Sequence, residues 1–243
     1  MREREDFFVV ASILRLSTKY LMVNLRRKAI EALAEIWANT LKGHDAMVLR
    51  AISQEDALYS YPYVHPLHVL NLARETDVRV VVPSALYFLS LYPLDDVLRA
   101  DHPKLTAPVQ CGVPKPSTEL SYHDLKGYSL IYQMRVDFML ELSRSLARRK
   151  PVCQNTASSC RTAYARLSSR VSRSWVTRTG PIHWMSQTTR WAEVQDIGLC
   201  THCQADYRSY VESTRLELWN RLPLLLNLPS WSDLVNFDLP GSA

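Results

Sequence analysis

The sequence predicts a mainly α protein of stacked helix pairs in two subdomains, with little or no β-sheet. Three observations carry this. Across 7–33 the apolar residues Val10, Ile13, Leu14, Leu16, Tyr20, Leu21, Leu25, Ala29, Ile30 and Leu33 recur mostly in three- and four-residue steps, the spacing of an amphipathic helix. Six glycines against thirteen prolines are too few for a turn-rich all-β fold. The only strand-like run, VRVVV at 78–82, alternates weakly and is stopped by Pro83.

Taken in order, 7–33 divides into two helices with a break near 20–24 and one buried stripe, the basic residues Lys19, Arg26, Arg27 and Lys28 lying on the other faces. Gly43 suits the left-handed residue that ends a helix, and Asp45 suits the N-cap of a short helix reaching Ile52. Residues 54–64 are aromatic and turn-like. A helix is expected over 66–76, and Pro83 is placed to open the next, PSALYFLSLY, with one further turn over 94–99. Residues 100–118 contain Pro103, Pro108, Pro114 and Pro116 without periodicity and read as a linker, either a surface loop or a recognition peptide. This gives subdomains over 1–99 and 119–243.

In the second subdomain, Ser121 and Asp124 form a capping-box pattern before a long helix whose Leu130, Met134, Phe138, Leu142 and Leu146 repeat every four residues. Tyr164, Leu167, Val171 and Trp175 share a face over 160–176. Residues 177–187 read as a loop, 188–198 as a short helix ended by Gly198, and 202–218 as a polar helix with one apolar stripe.

The segment V-x-x-I-L-R-L-S-T-K-Y-L-x-x-N-L-R-R-K-A-I-x-x-L, from Val10 to Leu33, resembles the last helical pair of a BTB/POZ domain, most closely the version in fungal BTB-domain proteins. The likeness continues more weakly through HPLHVLNLARETDVRVVVPSALYFLS and the Cys-containing end. A complete BTB domain carries its strands and dimer-forming first helix upstream, whereas here nine residues precede Val10, so the resemblance covers the BTB tail and the helical region C-terminal to it. It implies a BTB-related adaptor or regulatory scaffold that binds proteins. Its partners would be a cullin-type ubiquitin ligase or a second copy of the chain; Ile13, Leu14, Tyr20 and Leu25 match the apolar positions of the family's terminal helices, which pack on the BTB core and here would meet an interaction partner instead.

The cysteines are the next candidate. Cys153 and Cys160 form a C-x6-C pair, and Cys200 and Cys203 a C-x2-C pair with His202 between them. Zinc takes four thiolate or imidazole ligands in a tetrahedron, and C-x2-C lets two thiolates reach one ion from a tight turn. The four can therefore form a structural zinc site stapling two helix starts, with His183 or His202 able to replace one ligand. Reduced, half-buried thiols and a redox-active C-x2-C are the alternatives. Cys111 reads as a free thiol.

Net charge is +5, and its asymmetry lies in 142–192, which holds ten Lys/Arg and no Asp or Glu. Arg161, Arg166, Arg170, Arg173 and Arg178, with Trp175 and Trp184 interleaved, are candidates for contacting nucleic-acid phosphate. A solvated basic face, or one meeting an acidic protein, is the plainer reading.

Catalytic templates fail: the chain has no Gly-rich phosphate loop, H-E-x-x-H or G-x-S-x-G. His65 and His68 read as surface or helix-capping residues, and Asp95 and Asp96 as a loop or cap. With 47% hydrophobic residues the chain is globular, and no apolar run approaches the ~18 residues of a membrane span. The charged opening MREREDFF has no signal-peptide core. The sequence thus reads as an intracellular, non-enzymatic interaction module of cytoplasm or nucleus. The alternative is a nucleic-acid-associated regulator using the basic C-terminal half.

Overall fold

A computed structural model describes residues 4–52, 64–100, 102, 105, 118–154, 156–173 and 180–241. Among these the chain forms eleven α-helices and no strand, a mainly α fold. The helices are α1 (Arg4–Lys19), α2 (Val23–Ile36), α3 (Leu41–Ile52), α4 (Pro66–Glu75), α5 (Val82–Leu89), α6 (Leu94–Arg99), α7 (Tyr122–Arg148), α8 (Ala157–Arg173), α9 (Pro181–Glu193), α10 (Thr201–Leu225) and α11 (Trp231–Asp238). Two compact units result. Unit 1 is Met1–Ile131 with Asn220–Ala243, and unit 2 is Tyr132–Trp219, so the division falls inside α7 and inside α10. Of the proline-containing segment 100–118 only Ala100, His102, Leu105 and Thr118 are described, and of 54–64 only Val64.

In unit 1, α1 packs on α2 and α4 on α5. Phe7, Phe8 and Leu14 of α1 and Ile30 and Leu33 of α2 are buried. Two arginines tie this pair to α4. The Arg15 guanidinium forks onto the Glu75 carboxylate, with Nε–Oε1 at 2.7 Å, and Arg26 donates to the Thr76 and Asp77 carbonyls at 3.1 and 3.3 Å, capping the end of α4. The apolar stripe expected over 7–33 is nevertheless only partly buried. Leu16, Tyr20, Leu21 and Leu25 are exposed, because they cluster at the turn between the helices rather than on the face that meets α4 and α5.

The strand-like VRVVV is a buried corner leading into α5. Val78, Val80, Val81 and Val82 are all buried, and α5 itself is buried at every position. The Asp238 carboxylate, at the end of α11, accepts from the Arg79 and Val80 N–H groups at 2.7 and 2.6 Å, so the corner's donors are satisfied without a sheet partner. Burial all round removes the alternation by which a half-exposed strand is recognised.

Other local expectations shift. Helix α3 starts at Leu41, with Thr40 Oγ1 accepting from the Gly43 N–H at 3.1 Å. Gly43 is thus in the first turn rather than at a helix end, and a Cβ there would lie 2.7 Å from Ala38 Cβ. His65 does cap α4, its Nδ1 accepting from Leu67 N–H at 3.2 Å. It and His68 are fully buried rather than on the surface, His65 against Tyr92 and His68 against Phe7 and Phe8. Ser121 and Asp124 cap α7 as expected, and Asp124 also pairs with Arg74 at 2.7 Å.

In unit 2, α9 already begins at Pro181, where a loop was expected. Gly180 turns the chain at φ +77°, Pro181 opens the helix, and Ile182, Trp184 and Met185 are buried. Tyr164, Leu167, Val171, Met185, Tyr207, Val211 and Trp219 form the core. Buried hydroxyls are paired: Thr188 Oγ1 with Tyr207 OH at 2.7 Å, and Ser168 Oγ to the Ser143 carbonyl at 3.2 Å.

Burial pushes the Asp238 carboxyl above its ordinary value despite the two N–H donors. The folded chain therefore holds this proton more tightly than the unfolded one. The stability linked to it is complete below the unfolded carboxyl value and is lost as pH rises through the folded one. In chemical denaturation we expect Asp238→Ala to cost about 1–3 kcal/mol by orphaning two N–H groups. Asp238→Asn keeps an acceptor there, and should cost less and flatten that part of the pH profile.

Candidate metal centre

Unit 2 brings two helix N-termini to one point. Thr156 precedes α8, and its carbonyl accepts from Cys160 N–H at 2.9 Å, placing Cys160 in the first turn. Gly198, at φ +80°, turns the chain out of the segment after α9. Cys200 then occupies the N-cap of α10, its carbonyl accepting from Gln204 N–H at 2.9 Å. The C-x2-C spacing places Cys203 at the third helical position, where a backbone N–H points back at the N-cap side chain.

The four sulfur atoms of Cys153, Cys160, Cys200 and Cys203 all lie within 4.8 Å of one another. Cys203 Sγ is 3.5 Å from Cys153 Sγ. Cys160 and Cys203 are buried, whereas Cys153 and Cys200 are half-buried and close the outer side. A tetrahedron with metal–sulfur bonds of about 2.3 Å has sulfur–sulfur edges of roughly 3.8 Å, so a small contraction fits the group to one ion. A multi-iron cluster would need the thiolates spread wider. All four are free thiols, and the C-x2-C pair forms no disulfide. The cluster can therefore hold a metal ion.

Its surroundings favour anionic sulfur. Cys200 N–H donates to Cys160 Sγ at 3.4 Å, and Thr156 Oγ1 donates to Cys153 Sγ at 3.3 Å. The Cys203 backbone donor, with hydrogen bonds from Thr156 and the neighbouring thiols, brings the Cys200 thiol down to about 6. Burial takes the Cys203 thiol the other way, up to about 12. Thus one sulfur is readily anionic and one holds its proton, until a cation supplies the charge that burial lacks. Tyr164 OH donates to the Cys203 carbonyl at 3.1 Å, fixing α8 against the start of α10. Arg149 pairs with Asp206 at 2.6 Å, and its guanidinium stands over the Tyr210 ring at 4.5 Å.

The expected substitutes are not in the cluster: His202 is exposed, and buried His183 has Nε2 3.2 Å from Gln187. The basic residues are divided. Arg161, Arg166 and Arg173 are exposed on α8, Arg170 lies over Trp191, and Arg178 and Trp175 lie outside the described residues, as does Cys111. Trp184 is buried and cannot interleave with them. Of the four proposed interaction residues, Leu14 is fully buried, Ile13 half-buried, and Tyr20 and Leu25 exposed. Sequence reading singled out no interaction role for the turn residues Leu21, Met22 and Val23, the most exposed of which is Leu21.

Titration of the reduced, metal-stripped chain with cobalt(II) should saturate at one ion per chain with a thiolate charge-transfer band. Cys160→Ser should weaken that band, and saturation at two or more ions would contradict a single four-sulfur site. No protein-family model, curated protein or solved structure matches this chain.

Proposed function

We propose that the chain is a non-enzymatic protein-interaction module, a BTB-related adaptor or scaffold, which docks through the turn between α1 and α2. The observation that carries this is Leu21. It stands at φ +57°, in the left-handed region, with 83% of its surface exposed. Met22 N–H donates to the Ser17 carbonyl at 2.8 Å and Leu21 N–H to the Thr18 carbonyl at 3.4 Å, a Schellman end in which glycine is the usual residue. A leucine there costs backbone strain of about 1–2 kcal/mol and gains no burial within the chain. Strain held at an exposed apolar side chain supports a functional reading of this turn. Leu16, Tyr20, Met22, Val23 and Leu25 surround it, all exposed, with Lys19 at the rim. So dense an apolar patch on one turn is the composition of a docking surface. The BTB-like sequence at 10–33 supports the adaptor reading, with a cullin-type ligase or a second copy as the partner.

Within this reading the four cysteines hold a structural zinc ion. Four protein ligands leave no position for substrate, and two helix N-termini face the net negative charge of a zinc tetrathiolate. Chelation at neutral pH should lower the melting temperature of unit 2 markedly, and Cys200→Ser should reproduce that loss. Equal melting with and without a chelator would remove zinc from the account.

For the docking surface, Leu21→Gly should raise stability by about 1 kcal/mol while weakening association. Leu21→Asp should abolish association with the fold intact. Light scattering and affinity capture compare these with the wild type. Identical mass and identical captured partners in all three would sink the proposal.

A further inference from the structure

We propose that the outer face of α8 binds the phosphate backbone of nucleic acid without reading its sequence. Helix α8 has four arginines and no acidic residue. Its inner face, Cys160, Ala163, Tyr164, Leu167, Ser168 and Val171, is buried. On the outer side Arg166, Arg170 and Arg173 fall within an arc of about 60° and along about 10 Å of helix axis. Arg161 lies off this stripe. The Arg170 guanidinium is held over the Trp191 ring of α9, 4.9 Å from its centroid, and the neighbouring Arg190 is exposed.

Three features of this face select its partner. The first is missing counter-charge. Among the described residues, none of Arg161, Arg166, Arg170, Arg173 and Arg190 forms an ion pair, whereas Arg149, at the end of α7, is matched by Asp206. Residues 132–219 hold thirteen basic and seven acidic residues, and the remainder of the chain sixteen and seventeen. Unit 2 therefore carries all of the net positive charge, and a zinc tetrathiolate would offset only two charges of it. The second is the kind of cation. The guanidinium fork matches two phosphate oxygens and is weakly hydrated, so its charge is available at contact. The third is what lies between the arginines. Thr162, Ala165, Ser169 and Ser172 are exposed and small. A protein interface is anchored by buried aromatic and aliphatic side chains, and this stripe offers none. A phosphate backbone needs only close approach and charge.

The test uses the whole, metal-loaded chain and a short mixed-sequence DNA duplex, with binding read by fluorescence anisotropy as salt is varied. Three phosphate contacts give a log–log slope near −2.7, or about a 40-fold loss of affinity for a fourfold rise in salt. Duplexes of different sequence should bind alike. The variant Arg166→Gln/Arg170→Gln/Arg173→Gln should bring the slope close to zero. Arg166→Gln/Arg173→Gln leaves the Trp191 contact in place and should reduce the slope by about 1.8, with metal content and melting unchanged. Absence of binding at low salt would overturn the proposal, as would a slope unaltered in both variants. Polyglutamate binding as tightly as the duplex, with the same salt slope, would replace nucleic acid by an acidic protein and equally overturn it.

Discussion

Four sulfur atoms within 4.8 Å of one another mark the point in unit 2 where the starts of α8 and α10 meet. Around them the sequence is short of core-forming material. From 150 to 162 the only large apolar side chain is Val152, and it is exposed. Helix α8 is polar on balance, and its buried stripe is narrow. The starts of α8 and α10 meet at the shared sulfur cluster, with Tyr164 donating to the Cys203 carbonyl beside it. The two helix ends also explain the sulfurs' electrostatics, because backbone N–H groups and helix dipoles favour negative charge where burial opposes it. A cation at the centre would reconcile those opposing demands.

Unit 1 obeys a different logic. Its interior is ordinary close-packed apolar burial around Trp37, Tyr87, Phe88 and the valines of the corner before α5. The polar devices there are fasteners: Arg15 on Glu75, Arg26 on the end of α4, and Asp238 on the corner. The same α1–α2 pair that these fasteners hold exposes its turn to solvent. A stable interior and an unsatisfied apolar turn therefore coexist within about 30 residues, and this contrast is the basis for assigning the turn a partner. The two surfaces also differ in chemistry. The turn of unit 1 is apolar with a charged rim, and the α8 face of unit 2 is charged with small residues between the charges. They suit different partners.

Much of this was legible in the chain. Three- and four-residue spacing announced α1, α2 and α7, since helical side chains must fall on one face to be buried together. Ser121 with Asp124 announced the start of α7, whereas the helix expected to run to Gly198 already stops at Glu193. The pairing of C-x6-C with C-x2-C was visible as ligand chemistry. What failed had physical causes. VRVVV was rightly set aside as a strand, but its backbone partner, Asp238, lies about 160 residues away and leaves no mark in the local pattern. Gly43 looked like a helix end, but its missing side chain instead serves a close approach to Ala38. His65 caps α4 as expected but from a buried position, and His68, read as a surface or capping residue, is enclosed by Phe7 and Phe8.

The sequence by itself determined the helical fold class, the ends of several helices and the set of four thiols, because each depends on residues close in the chain. Only the tertiary structure decided which half of the α1–α2 stripe is covered and that Trp184 is buried. It alone decided that 40 residues of intervening chain return Cys200 to Cys160, and which arginines stay without a counter-charge. Those outcomes depend on what packs opposite each residue, and one chain's local pattern does not contain that information.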